Sequence, residues 1–182
     1  MSIFGCGMDR MPDWAFRMMA LAFRIRDRFV RRDKMLDEFG IRPDMNVVDY
    51  GCGPGSYIRK ASELAGPGGK VYAVDVHELA VEAVRKLIAR EKLINVTALL
   101  LSKGRCPLAD GSADLVYALD MFHMVADPSG FLKELRRISK TDGILFIDSG
   151  HQGRDKAGTK IGASGAWTIV EEHPRYFKCR PV

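Results

Sequence analysis

The fold of this chain is decided by the stretch Val47-Val48-Asp49-Tyr50-Gly51-Cys52-Gly53-Pro54-Gly55-Ser56. Two β-branched residues and an acid lead into glycines at alternate positions. The pattern predicts a buried first strand that breaks into a tight turn, because β-branched residues favour strands and glycine adopts left-handed backbone angles. Missing side chains let backbone N–H groups approach a ligand at the carboxyl end of the strand. We therefore predict a cofactor-binding loop.

The glycine spacing disfavours two common nucleotide-binding loops. A dinucleotide fingerprint is G-x-G-x-x-G, and Ser56 stands where its third glycine belongs. A phosphate-binding P-loop needs Lys followed by Ser or Thr, which the stretch lacks. A cofactor without phosphate fits better, and a glycine-rich turn without any ligand is the alternative.

A second strand is predicted over residues 70–77, and its acid, Asp75, follows the loop by about 20 residues. In doubly wound folds an acid at this position accepts hydrogen bonds from ribose hydroxyls. The alternative is that Asp75 or Glu78 caps the helix predicted over residues 79–92.

A third stretch, residues 106–128, reads CPLADGSADLVYALDMFHMVADP. Together with the glycine loop and Asp75 it resembles the class I S-adenosylmethionine-dependent methyltransferases, in the small-molecule group similar to the quinone-biosynthesis methyltransferases. That group has LPFPDGSFD, a fourth strand, LHHV and DP in this order. Of its two adjacent histidines only His123 is present here, and Met124 replaces the other.

The resemblance extends over residues 44–150. Residues 131–138 resemble the helix that follows in the family. Residues 140–143 stand where the family has KPGG, ahead of a fifth strand over residues 144–148. The resemblance implies a Rossmann-like, doubly wound α/β fold.

The resemblance also implies S-adenosyl-L-methionine as the cofactor, with Asp49 orienting its methionine part and Asp75 binding its ribose. In the family an acid receives the adenine amino group, and Ser102 stands at that position here. A neutral hydroxyl is a weaker acceptor than a carboxylate. The cofactor-binding residues implied in this way are Asp49, Tyr50, Gly51, Gly53, Gly55, Asp75, Val76, Ser102 and Leu119.

Methyl transfer is an in-line displacement at an activated sulfonium, so the enzyme chiefly aligns the reactants and excludes water. A general base is optional. Its candidates are Asp120, His123 and His151, because the strand prediction places them near the carboxyl ends of strands four and five. Histidine is the more effective base near neutral pH. A structural role for His123 is the alternative.

Length and composition predict one domain. The chain has 182 residues, of which 47% are hydrophobic, and this suffices for one substantial core. We predict an N-terminal helical segment over residues 1–43 and a cofactor-binding core over residues 44–182. The core is expected to be a seven-stranded, mostly parallel sheet that ends in an antiparallel hairpin, residues 166–173 and 176–180.

Location and metal content are predicted from what the sequence lacks. Its apolar runs are too short to span a bilayer and its start is unlike a signal peptide, so we expect a cytoplasmic protein. The four cysteines, at positions 6, 52, 106 and 179, have no metal-ligand spacing, so we expect no metal site.

The net positive charge is concentrated in the N-terminal part of the sequence. Residues 10–34 hold eight bases and three acids, which equals the net charge of +5 of the whole chain. A helix there would place apolar residues on one face and arginines on another: Trp14, Met18, Leu21 and Ile25 against Arg17, Arg24, Arg28 and Arg31. The helix could pack its apolar face on the core, form a lid over cofactor and acceptor, or dock on a membrane surface or nucleic acid.

The predicted function is methyl transfer from S-adenosylmethionine to a small-molecule acceptor. The alternatives are a cofactor-binding protein without transferase activity, and methylation of RNA or of a lipid-soluble acceptor. Nucleic acid is disfavoured as a partner, because the chain has neither an Asn/Asp-Pro-Pro-Tyr/Phe motif nor a catalytic Pro-Cys pair. Peripheral membrane contact through the basic N-terminal helix stays open, and the oligomeric state is not predicted.

Overall fold

The computed structural model describes residues 10–102 and 105–182, and Cys6 lies outside them. The strands are β1 Asn46–Tyr50, β2 Lys70–Asp75, β3 Val96–Leu100, β4 Ala113–Ala118, β5 Ser139–Ile147, β6 Trp167–His173 and β7 Tyr176–Pro181. The α-helices are α1 Asp13–Phe29, α2 Ile58–Ala65, α3 Glu78–Glu91, α4 Pro128–Ile138 and α5 Arg154–Ala163. Two short 3-10 helices lie at Arg32–Glu38 and Phe122–Met124.

The strands form a seven-stranded sheet in the order β3-β2-β1-β4-β5-β7-β6. β2 pairs in parallel with β1 and β3, and β4 pairs in parallel with β5. β7 runs antiparallel to both β5 and β6. The predicted Rossmann-like α/β sheet with a C-terminal antiparallel hairpin is confirmed.

The chain divides into two compact units, Arg10–Leu100 and Leu101–Val182. The first contains α1 to α3 and β1 to β3, and the second contains the remaining strands and helices. The single domain expected from length stays a prediction.

The first unit is built on two strands that are buried on both faces. β1 and β2 are almost continuously buried, and Val47, Val48, Val71 and Val74 are completely inaccessible. This pattern is typical of parallel strands that are covered by helices. It places the carboxyl ends of β1 and β2, and the loops that follow them, at one edge.

In the second unit α4 begins as its sequence dictates. The Asp127 carboxylate accepts a 3.0 Å hydrogen bond from the Gly130 N–H, and Pro128 occupies the first turn, where its missing N–H is no loss.

β5 starts at Ser139, five residues before the predicted start of the fifth strand. The pairing with β4 jumps from Ala113–Ser139 to Leu115–Ile144, so residues 140–143, predicted to precede the strand, form an irregularity within it.

α5 forms although it contains Gly158 and Gly162, and glycine has a low helix propensity. Ala157 and Ile161, one turn apart, are fully buried. Tertiary burial therefore outweighs the low helix propensity of the segment.

Of the three alternatives for the N-terminal helix, packing of its apolar face on the core is contradicted by the structure. The apolar face of α1 is exposed, with 71% of Trp14, 63% of Met18, 53% of Leu21 and 55% of Ile25 accessible. The buried residue is Phe16, whose ring centroid lies 4.4 Å from that of His77. Sequence periodicity identifies the apolar face of α1. The face that packs is instead the one that contains Phe16, because His77 in the first unit contacts its ring.

Polar contacts hold the start of α1 in the same place. Arg10 donates a 2.8 Å hydrogen bond to Glu78 and a 2.6 Å bond to Asp13. These ion pairs are exposed, so they fix position more than they add stability. Within residues 10–102 and 105–182, no helix is long and apolar enough to cross a bilayer.

Two aromatic residues on α1 provide a matched test of which face packs. We expect Phe16→Ala to lower the free energy of unfolding by about 3 kcal/mol, as loss of a buried ring does. Trp14→Ala, on the exposed face, should change it by less than about 0.5 kcal/mol. Urea denaturation followed by circular dichroism measures both. A larger loss for Trp14→Ala would mean that the apolar face is the packed one.

Candidate functional site

The predicted glycine loop follows β1 directly and has the backbone that its sequence requires. Gly51, Gly53 and Gly55 have φ angles of 85°, 49° and 91°, in the left-handed region where side chains are strained. The N–H groups of Gly51 and Cys52 both donate to the carbonyl of Val74, at 2.8 and 3.1 Å. The loop is therefore fastened to the end of β2.

A carboxylate at the end of β2 completes this link. Oδ2 of Asp75 accepts from the Gly53 N–H, and Oδ1 accepts from the His77 N–H, both at 2.9 Å. Asp75 is 7% exposed. Burial raises the pKa of Asp75 above its ordinary value of 3.8, although the N–H donors of His77 and Gly53 oppose the shift. Both carboxylate oxygens therefore hold backbone that surrounds the loop.

The capping alternative for Asp75 and Glu78 is wrong. The N-cap of α3 is His77, whose Nδ1 accepts a 3.2 Å hydrogen bond from the Leu79 N–H. His77 is buried, and its other ring nitrogen, Nε2, lies 3.7 Å from a carboxylate oxygen of Asp13 on α1. His77 was missed because histidine is not among the usual capping residues.

The glycines of the loop differ in what surrounds them. A Cβ built at Gly53 would meet no atom within 4 Å, so the backbone there faces open space that a ligand can approach. A Cβ at Gly55 would lie 3.2 Å from Leu87 and 3.3 Å from Val84. Gly55 therefore lets the loop pack closely on α3.

The remaining cofactor candidates lie at strand ends. In the first unit Asp49 and Tyr50 end β1 and Val76 follows β2, and all three are buried. In the second unit Leu119 follows β4 and is also buried. Ser102 is exposed and lies directly before residues 103–104, outside the described chain. Its carbonyl accepts a 3.1 Å hydrogen bond from the Arg105 N–H.

The second unit brings two of the predicted base candidates into contact. His123 lies in the 3-10 helix after β4, and His151 follows β5. Their ring centroids are 4.8 Å apart in an edge-to-face arrangement. A Cβ at Gly150 would collide with Nδ1 of His123, so the glycine allows this packing. Nδ1 of His123 is buried and has no hydrogen-bond partner among the described residues.

The third candidate, Asp120, is held by a residue that the sequence analysis missed. Oδ2 of Asp148 accepts from the Asp120 N–H at 2.9 Å, and Oδ1 accepts from the Gly150 N–H at 3.1 Å. Asp120 has a φ of 62°, which is uncommon for any residue with a side chain. The available signal was the position of Asp148 at the end of a predicted strand, as for Asp75.

The electrostatics of this cluster favour a neutral His123. Burial lowers the pKa of His123 below its ordinary value of 6.5, His151 lowers it further, and the Asp120 carboxylate opposes the shift. At neutral pH the imidazole is therefore uncharged and able to accept a proton.

The cysteines carry a different chemistry from the histidines. Cys52, Cys106 and Cys179 are buried and free. Burial raises the pKa of the Cys52 thiol well above its ordinary value, that of Cys106 to about 11 and that of Cys179 to about 12. These thiols are protonated and weakly nucleophilic at neutral pH. In the described part of the chain, no group of three or more His, Cys, Asp and Glu residues could hold a metal ion.

Comparison with known proteins gives consistent matches. The family model described as "Methyltransferase domain" matches residues 48–147. Nocamycin O-methyltransferase of Saccharothrix syringae is 31% identical over 115 residues, which are 63% of this chain and 41% of the relative. The ubiquinone/menaquinone biosynthesis C-methyltransferase UbiE of Hahella chejuensis is 27% identical over 113 residues, 62% of this chain and 45% of the relative.

Among solved structures, a SAM dependent methyltransferase from Aquifex aeolicus superposes with a TM-score of 0.75 at 26% sequence identity. The match covers 93% of this chain and 97% of that chain. By contrast, the chain spans less than half the length of the two curated relatives above.

The lowered pKa of His123 can be measured without any ligand. In NMR titrations of protein with isotope-labelled histidine, we expect the His123 midpoint to lie below pH 6.5. His151→Asn should raise it, because the electrostatic interaction with His151 that lowers the pKa of His123 is removed. Asp120→Asn should lower it, and asparagine tolerates the left-handed backbone at this position. The signal is assigned by its loss in His123→Gln. A midpoint at or above 6.5 that neither variant moves would contradict the burial and charges described.

Proposed function

Because the chain belongs to the class I S-adenosylmethionine-dependent methyltransferases, we propose that it transfers the methyl group of S-adenosyl-L-methionine to a small-molecule acceptor. The family inferred from the motifs is confirmed by the match over residues 48–147. The observation that carries the proposal is the hydrogen bond from the Gly53 N–H to Asp75. This bond links the glycine loop, which a cofactor can approach, to Asp75, whose carboxylate can accept hydrogen bonds from the ribose hydroxyls of the cofactor.

The residues of the first unit suit this cofactor. The open space at Gly53 leaves backbone for a ligand to lie against. A carboxylate can accept about four hydrogen bonds, so Asp75 has capacity for ribose hydroxyls beyond its bonds to Gly53 and His77. Asp49 at the end of β1 would orient the amino group of the methionine part. The loop has no lysine that a phosphate would require, and the cofactor has no phosphate.

The raised pKa of Asp75 supports a ligand-binding role. Burial outweighs the backbone donors, so the ionised carboxylate is incompletely compensated in the folded chain. Two further hydroxyl donors would stabilise the charged form. The residue therefore gains more from a bound ribose than a fully satisfied structural carboxylate would.

When bound, the cofactor supplies a methyl group on a positively charged sulfur, which is already a good leaving group. The chain must hold the reactants in line and take up the proton that the acceptor releases. We assign the proton to His123, which is neutral at pH 7 because burial and His151 lower its pKa. His151 and Asp120 act through His123, by contact and by charge.

The curated relatives support an acceptor that loses a proton. One is named an O-methyltransferase and another a C-methyltransferase. Methylation of a hydroxyl oxygen or of a carbon releases the proton that the new methyl group replaces. A neutral histidine is suited to accept it.

Cofactor affinity tests the assignment of Asp75. Asp75→Asn removes a charged acceptor from buried hydrogen bonds, which should weaken S-adenosylmethionine binding by about tenfold to a hundredfold, or roughly 1.5–3 kcal/mol. Titration calorimetry measures the affinity, and circular dichroism confirms that the variant is folded. Asp142→Asn, at an exposed position, is the control and should bind as the parent does. Unchanged affinity in folded Asp75→Asn would exclude the ribose role.

Turnover tests the transferase activity and the base. Parent protein, cell extract and cofactor with an isotope-labelled methyl group should yield S-adenosylhomocysteine and a labelled metabolite by mass spectrometry. With the acceptor so identified, kcat/KM should fall as pH drops through the lowered pKa of His123, because the protonated ring cannot accept a proton. His123→Gln should abolish this pH dependence and retain cofactor affinity. Cofactor binding without any labelled product would mean a binding protein instead of a transferase.

A further inference from the structure

A cavity of about 960 Å³ lies in the first unit, apart from the strand ends described above. α1 forms one wall, and the glycine loop from Pro54 to Ser56, the start of α2 and the length of α3 form the others. Its volume is at the upper end of the range of small-molecule sites. None of the predicted cofactor-binding residues except Gly55 lines it.

The lining is strongly basic. Six cationic side chains face the cavity, against the two acids Asp27 and Glu82; the six are Arg17, Arg24, Arg28, Arg59, Lys86 and Arg90. A cavity lined by one sign of charge concentrates ligands of the opposite sign.

Ion pairs neutralise only part of this charge. Lys86 lies 2.6 Å from Glu82, and Arg59 and Arg90 share the carboxylate of Glu91 at 2.5 and 2.9 Å. Arg24 and Arg28 are one helical turn apart on α1. Neither makes a hydrogen bond or an ion pair to another described residue. These two guanidinium groups are therefore available to an anion.

The rest of the lining is apolar, with one polar group. Leu79 and Leu87 on α3, together with Phe16 and Leu21 on α1, offer hydrocarbon surface. The hydroxyl oxygen of Ser56 is buried and has no hydrogen-bond partner among the described residues. A ligand that fits this lining has an apolar body and an anionic end.

We propose that this cavity binds an anionic amphiphile, with its phosphate or carboxylate held by Arg24 and Arg28 and its hydrocarbon part packed on Leu79 and Leu87. Arginine matches both anions because its planar fork can donate two parallel hydrogen bonds. S-adenosylmethionine is disfavoured here because its sulfonium and ammonium groups outweigh its single carboxylate, which leaves a net positive charge facing a basic lining. Of the predicted cofactor-binding residues, the cavity includes only Gly55, so its lining differs from that of the cofactor site, and binding there does not depend on methyl transfer.

Dodecyl phosphate, kept below its micelle concentration, is the probe. Titration calorimetry should show binding at least tenfold tighter than that of inorganic phosphate or of the uncharged detergent dodecyl maltoside, because neither comparison ligand matches both parts of the lining. Affinity should fall as salt rises, since the charge interaction is screened.

Matched arginine variants locate the ligand. The double variant Arg24→Gln with Arg28→Gln should weaken dodecyl phosphate binding at least tenfold. Arg85→Gln, exposed on α3 but outside the cavity, should leave it unchanged. All these positions are exposed, so the variants should keep the parent's thermal midpoint. Equal affinity in the parent and the double variant would overturn the proposal.

An experiment with vesicles distinguishes the two possible sources of such an anion, a lipid headgroup and a free molecule. If dodecyl phosphate releases the protein from phosphatidylglycerol vesicles, the cavity accepts a lipid headgroup. If dodecyl phosphate binds while the vesicles do not, a free anionic molecule is the ligand. Both results support the binding of an anionic amphiphile in the cavity. Binding to vesicles without any binding of monomeric dodecyl phosphate would overturn it, because α1 would then act through its exposed apolar face alone.

Discussion

The carboxylate of Asp75 organises the first unit. Its two oxygens accept from the N–H groups of Gly53 and His77, so one side chain positions both the glycine loop and the start of α3. His77 extends the arrangement, because it caps α3 through Leu79 and receives the ring of Phe16 from α1. The glycine loop, α3 and α1 are therefore all positioned, directly or through His77, by the one buried carboxylate of Asp75. Such a group is costly to bury unless donors surround it, which explains why so much backbone converges on it.

The second unit repeats this arrangement at the end of β5. Asp148, like Asp75, accepts from the N–H two residues ahead, here that of Gly150, and from the N–H of a neighbouring loop, here that of Asp120. Parallel strands end with backbone donors that the sheet no longer satisfies, and buried donors require a partner. A carboxylate at the strand end satisfies two of them at once. In one unit this orders the glycine loop, and in the other it orders the loop that precedes His123.

Much of this could be predicted from the sequence, because the decisive signals are local. The glycine loop follows from glycines at positions where the backbone is left-handed, which other residues rarely adopt. The helix predicted over residues 131–138 is present as α4, which begins at Pro128 after its Asp127 cap. What could not be predicted depends on distant partners. His123 follows β4 and His151 follows β5, so their contact depends on how these two strands pair. The packed face of α1 depends on His77, and periodicity alone favoured the face that contains Trp14.

The burial of Phe16 as the anchor of α1 bears on how this chain can diverge. Most positions of the helix are released from the demands of the hydrophobic core, so their side chains can change with little loss of folding stability. Arg17, Arg24 and Arg28, the α1 arginines that line the cavity, belong to these positions. Ligand preference at this wall can therefore drift over generations while the cofactor loop and the sheet remain constant.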